Sequence, residues 1–139
     1  MISNIEEYFR LKNSEDKEEY DRVVREELTS ELISDILENY PKSKSWLVHN
    51  KFIPVEVLKI LASDKDVDVR FTVAMKKKCD RSIFETLMKD EEFSVRMAVV
   101  RNNKLPIDLL EKLTFDRDNE IAKEAQLMLK RRKSRQITP

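Results

Sequence analysis

Few side chains in this sequence have the types and spacing that catalysis or metal binding requires. Cys79 is the only cysteine and His49 the only histidine, so the chain can form neither an internal disulfide nor a zinc site with cysteine or paired histidine ligands. It contains no glycine, which excludes Gly-rich phosphate loops and Gly-based nucleophile elbows. We therefore expect a protein that is not an enzyme and has no catalytic residue, metal site or cofactor. Cys79 is expected to be a small buried side chain rather than a nucleophile.

Cationic side chains offer a second kind of chemistry, the binding of phosphate or carboxylate groups. Lys44, Arg70 and Arg96 recur every 26 residues and could face an acidic protein or a phosphate backbone. The densest basic runs are Lys76-Lys77-Lys78 with Arg81, and Lys130-Arg131-Arg132-Lys133 with Arg135. Such runs bind phosphate or membrane surfaces when they are functional. More often they form a solvated turn and a soluble tail, which is the interpretation we favour.

The charge is divided unevenly along the chain. Basic and acidic residues both total 27, yet residues 1–40 hold 12 acidic and 5 basic side chains, which leaves 15 acidic and 22 basic in residues 41–139. Such polarity can steer an encounter with a partner even when the net charge is zero. Because the longest apolar runs are only a few residues, we see neither a signal peptide nor a membrane span. We expect a cytoplasmic monomer.

The elements that position these residues follow a 26-residue repeat. The recurring positions are Val57-Leu58, Ile83-Phe84 and Leu109-Leu110; Leu61, Leu87 and Leu113; Asp64, Asp90 and Asp116; and Val69, Val95 and Ile121. Self-similarity at a fixed period of this size is typical of a solenoid, in which each unit buries its apolar face against its neighbours. Each copy predicts two helices, so the expected fold class is all-α.

The rest of the chain is predicted to be helical but less regular. Residues 1–30 lack the repeat and predict an N-terminal helical cap, in which Ser3 has the spacing of an N-cap. Residues 31–129 hold one diverged copy and three clear ones, the diverged copy beginning with a helix that Ser30 can cap. Residues 130–139 form a basic C-terminal tail that loses the apolar period, and we expect it to be frayed.

The repeated pattern resembles the HEAT-repeat superfamily, most closely the leucine-rich repeat variant and HEAT-like bacterial repeats. The clearest copy comprises Pro54, Val57, Leu58, Leu61, Asp64, Val69, Arg70, Val73 and Ala74. The resemblance covers residues 31–129 and implies a short right-handed α-solenoid of helix pairs, whose second helices line the concave side. It also implies a structural ladder of hydrogen bonds between successive units, made by Asp64, Arg70, Asp90 and Arg96. The ladder should end at Asp116, because Ala122 stands where the next arginine would be.

Two rows of equivalent positions near the ends of the second helices are the predicted partner contacts. One row is His49, Met75 and Arg101, and the other is Asn50, Lys76 and Asn102. Neither row has an obvious packing role, although a solvated helix end remains the competing interpretation. Trp46, the only tryptophan, is expected to pack against the core rather than to stack on a base, because no other aromatic residue interleaves with it.

These features predict a non-enzymatic protein-interaction module that binds one partner protein on its concave face, for example as an inhibitor or immunity-type protein. The alternative is a HEAT-like protein whose basic half follows a nucleic-acid backbone, which would make binding strongly salt-dependent. A third interpretation is a structural subunit of a larger assembly that associates through the end of the chain near residues 127–129. No membrane partner is expected.

Overall fold

A computed structural model describes residues 1–137 of the chain, except for the side chain of residue 137. Within this range the protein is all-α, as predicted, with ten α-helices, one 3-10 turn and no β-strand. The helices are α1 (Ile5–Lys12), α2 (Lys17–Arg25), α3 (Ser30–Asn39), α4 (Lys44–Val48), α5 (Val55–Leu61), α6 (Val67–Ala74), α7 (Arg81–Leu87), α8 (Phe93–Arg101), α9 (Ile107–Leu113) and α10 (Asn119–Ile137). The 3-10 turn is Pro41–Ser43.

The chain divides into two compact units, one comprising Met1–Val57 and the other beginning at Leu58. The first unit joins the predicted cap, residues 1–30, with the diverged copy of the repeat. Two of its helices begin one residue away from the expected positions. Asn4 rather than Ser3 caps α1, accepting a hydrogen bond from the Glu7 amide at 2.9 Å. Thr29 rather than Ser30 caps α3, because a capping side chain must lie just outside the first helical turn.

Apolar side chains at helical spacing form the core of the first unit. The fully or nearly fully buried members are Ile2, Tyr8, Leu11, Val23, Leu32, Ile36, Leu47 and Val48. Tyr8 is a special case, since its hydroxyl is buried without a hydrogen-bond partner among the described residues. Burial raises the pKa of Tyr8 to about 12, because a phenolate in an apolar environment loses its hydration.

In the second unit, the second helix of each repeat packs against the second helix of the next. α6 contacts α8 and α8 contacts α10, while α7 packs against α8 and α9 against α10. The buried core repeats with the sequence. It includes Val69, Val73, Ile83, Phe84, Leu87, Val95, Val99, Leu109, Leu110, Leu113, Ile121 and Ala125. Burial at these positions gives the 26-residue period its physical basis, because each copy presents the same apolar stripe.

Aspartate side chains build the turns between the helices of each pair. The Oδ1 atoms of Asp64, Asp90 and Asp116 each accept a hydrogen bond from the backbone amide two residues further on, at 2.9, 3.0 and 2.9 Å. These contacts mimic a backbone turn and need no left-handed residue. Consistent with this, no residue in the described part of the chain has a positive φ angle. A sequence without glycine can therefore reverse direction repeatedly.

The basic C-terminal segment corrects one expectation. Residues 130–137, which we predicted to be frayed, continue α10 as a regular helix. Arg132 holds this end of the helix, because its guanidinium donates hydrogen bonds to the carbonyl oxygens of Leu105 and, at 2.8 Å, Asn102. The remaining two residues of the predicted tail, 138 and 139, lie outside the described range. None of the helices within residues 1–137 combines the length and apolarity needed to cross a membrane.

Candidate functional site

Helices α6 and α8 lie side by side and run in the same direction. Near their N-terminal ends, Arg70 Nε donates to Asp90 Oδ2 at 2.8 Å and Arg70 Nη2 to Asp90 Oδ1 at 3.3 Å. At their C-terminal ends, Asn102 Nδ2 donates to the carbonyl oxygens of Ala74 at 2.9 Å and Lys76 at 3.0 Å. Because hydrogen bonds join the helices at both ends, α6 and α8 are held in a fixed position relative to each other.

An apolar groove of about 520 Å³ lies on this surface. We call it the α6–α8 groove, and it is lined by Phe71, Met75, Phe93, Ser94, Met97, Ala98, Arg101 and Asn102. Three large apolar side chains remain substantially exposed there, Phe71 at 37%, Phe93 at 39% and Met75 at 54%. Exposed apolar side chains gathered at one place, rather than scattered singly, mark interaction surfaces.

The apolar character of the groove follows from the sequence of the two helices. α8 is apolar on both of its faces: Val95 and Val99 face the core, while Phe93 and Met97 point toward the groove. Phe71 lies within α6, and Met75, four residues later, is the C-cap of the same helix. Residues four apart lie one above the other on a helix, so Phe71 with Met75, and Phe93 with Met97, follow the groove along α6 and α8.

The charged side chains at the two ends of α6 and α8 differ in sign. Asp68 lies in the first turn of α6 and Glu92 at the N-cap of α8, so acidic side chains mark the N-terminal ends of both helices. At the opposite end Arg101 lines the groove. Its Nε atom makes a single contact of 3.4 Å with Glu124 Oε1, and its side chain is 61% exposed. The guanidinium is therefore available for stronger pairing with an external carboxylate.

The structure distributes the five predicted contact residues among different environments. Met75, Arg101 and Asn102 line the α6–α8 groove. His49 belongs to the first unit, where its exposed ring lies 6.0 Å from the Trp46 ring, measured between centroids. Lys76 is half-buried. Burial, and secondly the positive charge of Lys78, lowers the pKa of Lys76 below the ordinary lysine value.

Asn102 has, in addition to its place in the groove lining, an internal role that the sequence did not indicate. It is only 7% exposed. In addition to the two carbonyl contacts of its Nδ2 atom, its Oδ1 accepts the Lys104 amide at 3.0 Å. Asn50, two repeats earlier, bonds in the same way: Nδ2 to the carbonyls of Val23 and Glu26, and Oδ1 from the Phe52 amide. Both asparagines connect helix ends, so their side-chain polar groups have internal partners.

Arg70 and Arg96 make equivalent contacts in successive copies. Arg96 Nε donates to Asp116 Oδ2 at 3.1 Å, and its Nη1 donates to the Asp90 carbonyl at 2.7 Å. Arg70 Nη1 likewise donates to the Asp64 carbonyl at 2.8 Å. Each guanidinium thus joins its own copy of the repeat to the carboxylate of the next. Neither side chain presents a basic stripe to solvent.

Cys79 and Trp46, the two other residues that we considered from the sequence, both pack against neighbouring parts of the protein. Cys79 is buried, and its Sγ donates to the Val73 carbonyl at 3.1 Å. Burial raises the pKa of the Cys79 thiol to about 12, which leaves it almost fully protonated near neutral pH. Trp46 is half-buried and packs edge-on against Tyr20, with ring centroids 5.5 Å apart. The tertiary structure thus supplies the aromatic neighbour that the linear sequence lacks.

Sequence reasoning missed Phe71, Phe93 and Met97 as site residues. The signal was present, because these apolar residues lie outside the buried Val positions of each second helix. Recognising it requires separating the apolar residues that face the core from those on the opposite side of the same helix. Among the described residues, no three His, Cys, Asp or Glu side chains are grouped in a way that could hold a metal ion.

Comparisons with protein-family models, with curated protein sequences and with solved structures each found no match to this chain.

Proposed function

We propose that this protein is a non-enzymatic interaction module, built as a short HEAT-like α-solenoid. It binds a partner protein on the concave face, which its second helices line. The repeated contacts support the solenoid. The Arg70 to Asp90 pair recurs as Arg96 to Asp116, displaced by 26 residues in both donor and acceptor. An array that repeats the same link between neighbouring units is the arrangement expected of a solenoid.

The observation that carries the proposal is the exposed apolar surface of the α6–α8 groove. In a HEAT-like array the second helices line the concave side, so this groove would lie on the face predicted to bind a partner. Leaving Phe71, Phe93 and Met75 in contact with water is unfavourable in free energy. A partner that covers these side chains would remove that cost, and large apolar residues are frequent anchors at the centres of interfaces.

Affinity capture with matched variants tests the proposal. The wild-type protein, Met75→Glu and Ile60→Glu are each used as bait in a lysate of the source cells, with and without nuclease treatment. Met75 and Ile60 are both exposed apolar residues, but only Met75 lines the groove. We expect wild type and Ile60→Glu to retain a stoichiometric protein that Met75→Glu loses. Loss of the partner by both variants, or by neither, would contradict a role for the groove.

Nucleic-acid binding remains the second candidate, and one observation favours it. Helix α10 exposes Lys130, Arg131, Lys133 and Arg135 along its last two turns. If these side chains bind a phosphate backbone, affinity for any duplex should fall steeply as salt increases. Capture of nucleic acid alone, lost at high salt and in a variant with these four residues changed to Gln, would replace the proposed function with this one.

A further inference from the structure

We infer that the α6–α8 groove receives an amphipathic α-helix of the partner protein, with an acidic residue of that helix seated over Arg101. This inference rests on the proposed function and specifies the chemistry of the partner.

The dimensions of the groove match a short helical segment. Its longer wall runs along α8 from Phe93 to Arg101, which at 1.5 Å per residue is about 12 Å or two helical turns. A helix that docks in such a groove uses apolar anchors spaced at i, i+3 or i+4, and i+7, which extend over the same distance. The groove therefore accommodates three or so anchors from one face of a helix.

The floor and walls of the groove suit close packing of bulky side chains. Met97 and Ala98 are nearly buried and form the floor, and the small Ala98 side chain lets another helix approach. Phe71 and Phe93 stand as exposed aromatic walls. Met75 has an unbranched, polarizable side chain that adapts its shape to different anchors.

The charges around the groove specify the orientation of the incoming helix. Asp68 and Glu92 lie at the N-terminal ends of α6 and α8, whereas Arg101 lies at the C-terminal end of α8. The exposed Lys77 and Lys78 directly follow α6. Helices favour acidic residues in their first turn and basic residues in their last. A partner helix with this common pattern matches both ends only if it runs antiparallel to α6 and α8, with its acidic first turn at Arg101.

The same charges disfavour a polyanion in this groove. A phosphate backbone that extended past the N-terminal ends of α6 and α8 would bring negative charge near Asp68 and Glu92. On α10, the neighbouring Glu124 already shares Arg101 at 3.4 Å, and Glu120 is exposed in the first turn of that helix. An apolar helix with one acidic end brings a single negative group to Arg101, whereas a polyanion would bring many along its length.

Selection from a defined peptide library tests the inference. The displayed peptides are helix-forming, about four turns long, with a fixed apolar stripe and with first-turn and last-turn positions drawn from Glu, Gln and Lys. The full-length wild-type protein should select Glu in the first turn. Arg101→Glu should select Lys at that position instead. The control Lys112→Glu makes the same charge change at an exposed site on α9 and should select the wild-type pattern. Met75→Glu should weaken the best peptide by at least about tenfold.

Several results would overturn the inference. Peptides that bind equally well to Met75→Glu do not occupy the groove. A first-turn preference for Glu that persists in Arg101→Glu does not arise from Arg101. If the protein instead forms a dimer that Met75→Glu dissociates, measured by analytical ultracentrifugation, then a second copy is the occupant.

The failure of the inference can be separated from the failure of the proposed function. A lysate partner that is lost in Met75→Glu, together with a library that yields no acid-ended helix, would retain the interaction module and reject the helical partner. Recovery of neither a protein nor a peptide that is sensitive to Met75→Glu would reject both.

Discussion

Arg96 and Asp116 form a buried, two-contact ion pair between residues that are 20 positions apart in the sequence. The Nε to Oδ2 distance is 3.1 Å, the Nη2 to Oδ1 distance is 3.4 Å, and the two side chains are only 5% and 7% exposed. Removing one member of a buried pair leaves the other charge without compensation, whereas an exposed pair is screened by water. Removing the aspartate from a buried ion pair should therefore destabilise the protein more than removing it from an exposed pair.

Asp116→Ala should lower the free energy of unfolding by about 3 kcal/mol. The matched variant Asp108→Ala breaks the pair between Arg81 and Asp108, in which both residues are exposed, and should cost much less because water screens the pair. Urea unfolding followed by circular dichroism measures both. Equal losses for the two variants would mean that the buried pair is not an important link between α8 and the turn before α10.

Asn102→Ala should destabilise the protein by about 2 kcal/mol, because it leaves the carbonyls of Ala74 and Lys76 and the Lys104 amide without this partner. Asn103→Ala is the control, since Asn103 is adjacent and exposed and should change stability by no more than about 0.5 kcal/mol. The same urea titration serves for the comparison. A neutral Asn102→Ala variant would indicate that the side chain is dispensable for holding the two helix ends together.

Arg132→Ala should loosen the last turns of α10. Its guanidinium donates to the carbonyls of Leu105 and Asn102, and loss of these contacts should accelerate amide hydrogen exchange in residues 130–137 by about fivefold, equivalent to about 1 kcal/mol. Arg131 is exposed, so Arg131→Ala should leave exchange unchanged. Mass spectrometry after hydrogen exchange makes this measurement. Similar rates in the two variants would show that helicity here does not depend on Arg132.

The carboxyl group of Asp80 should titrate at unusually low pH. Hydrogen bonds from the Ser82 hydroxyl at 2.7 Å and the Ile83 amide at 3.0 Å lower its pKa to about 2, and Lys59 contributes at 3.2 Å. Since the pKa is lower in the folded state, this stabilisation is present above pH 4 or so and is lost as the pH falls toward 2. Carbon-13 NMR titration of the carboxyl group measures the pKa. Ser82→Ala should raise it, and an ordinary value in the wild type would contradict this account.

The helical order could be predicted from the sequence because it depends on local patterns. The apolar doublets and the turn aspartates at Asp64, Asp90 and Asp116 act within a few residues of their own positions. The role of Asn102 could not be predicted, since the carbonyls that it binds belong to Ala74 and Lys76, more than 25 residues earlier. The sequence shows no packing role for Asn102 because its hydrogen-bond partners come near it only in the tertiary structure.

The candidate site and the end of the chain show the same limit. Met75 and Arg101 were identified by their equivalent positions in the repeat, which is a property of the sequence. The groove itself depends on α6 and α8 lying side by side, so the contribution of Phe93 was not visible in α8 alone. Likewise, the basic composition of residues 130–137 suggested fraying, because sequence gives no sign that Arg132 reaches backbone carbonyls on a different part of the chain.

The contacts of Arg70 and Arg96 also bear on how the length of this protein could change during evolution. Each arginine donates to a carbonyl of its own copy and to the aspartate of the following one. A duplication or loss of 26 residues with breakpoints between Asp90 and Arg96 would again place every such arginine opposite an aspartate. An insertion of another size between Asp64 and Asp116 would change the spacing of donor and acceptor. Recombination in whole copies therefore preserves these links, and Ala122 marks the copy beyond which no further one is held in this way.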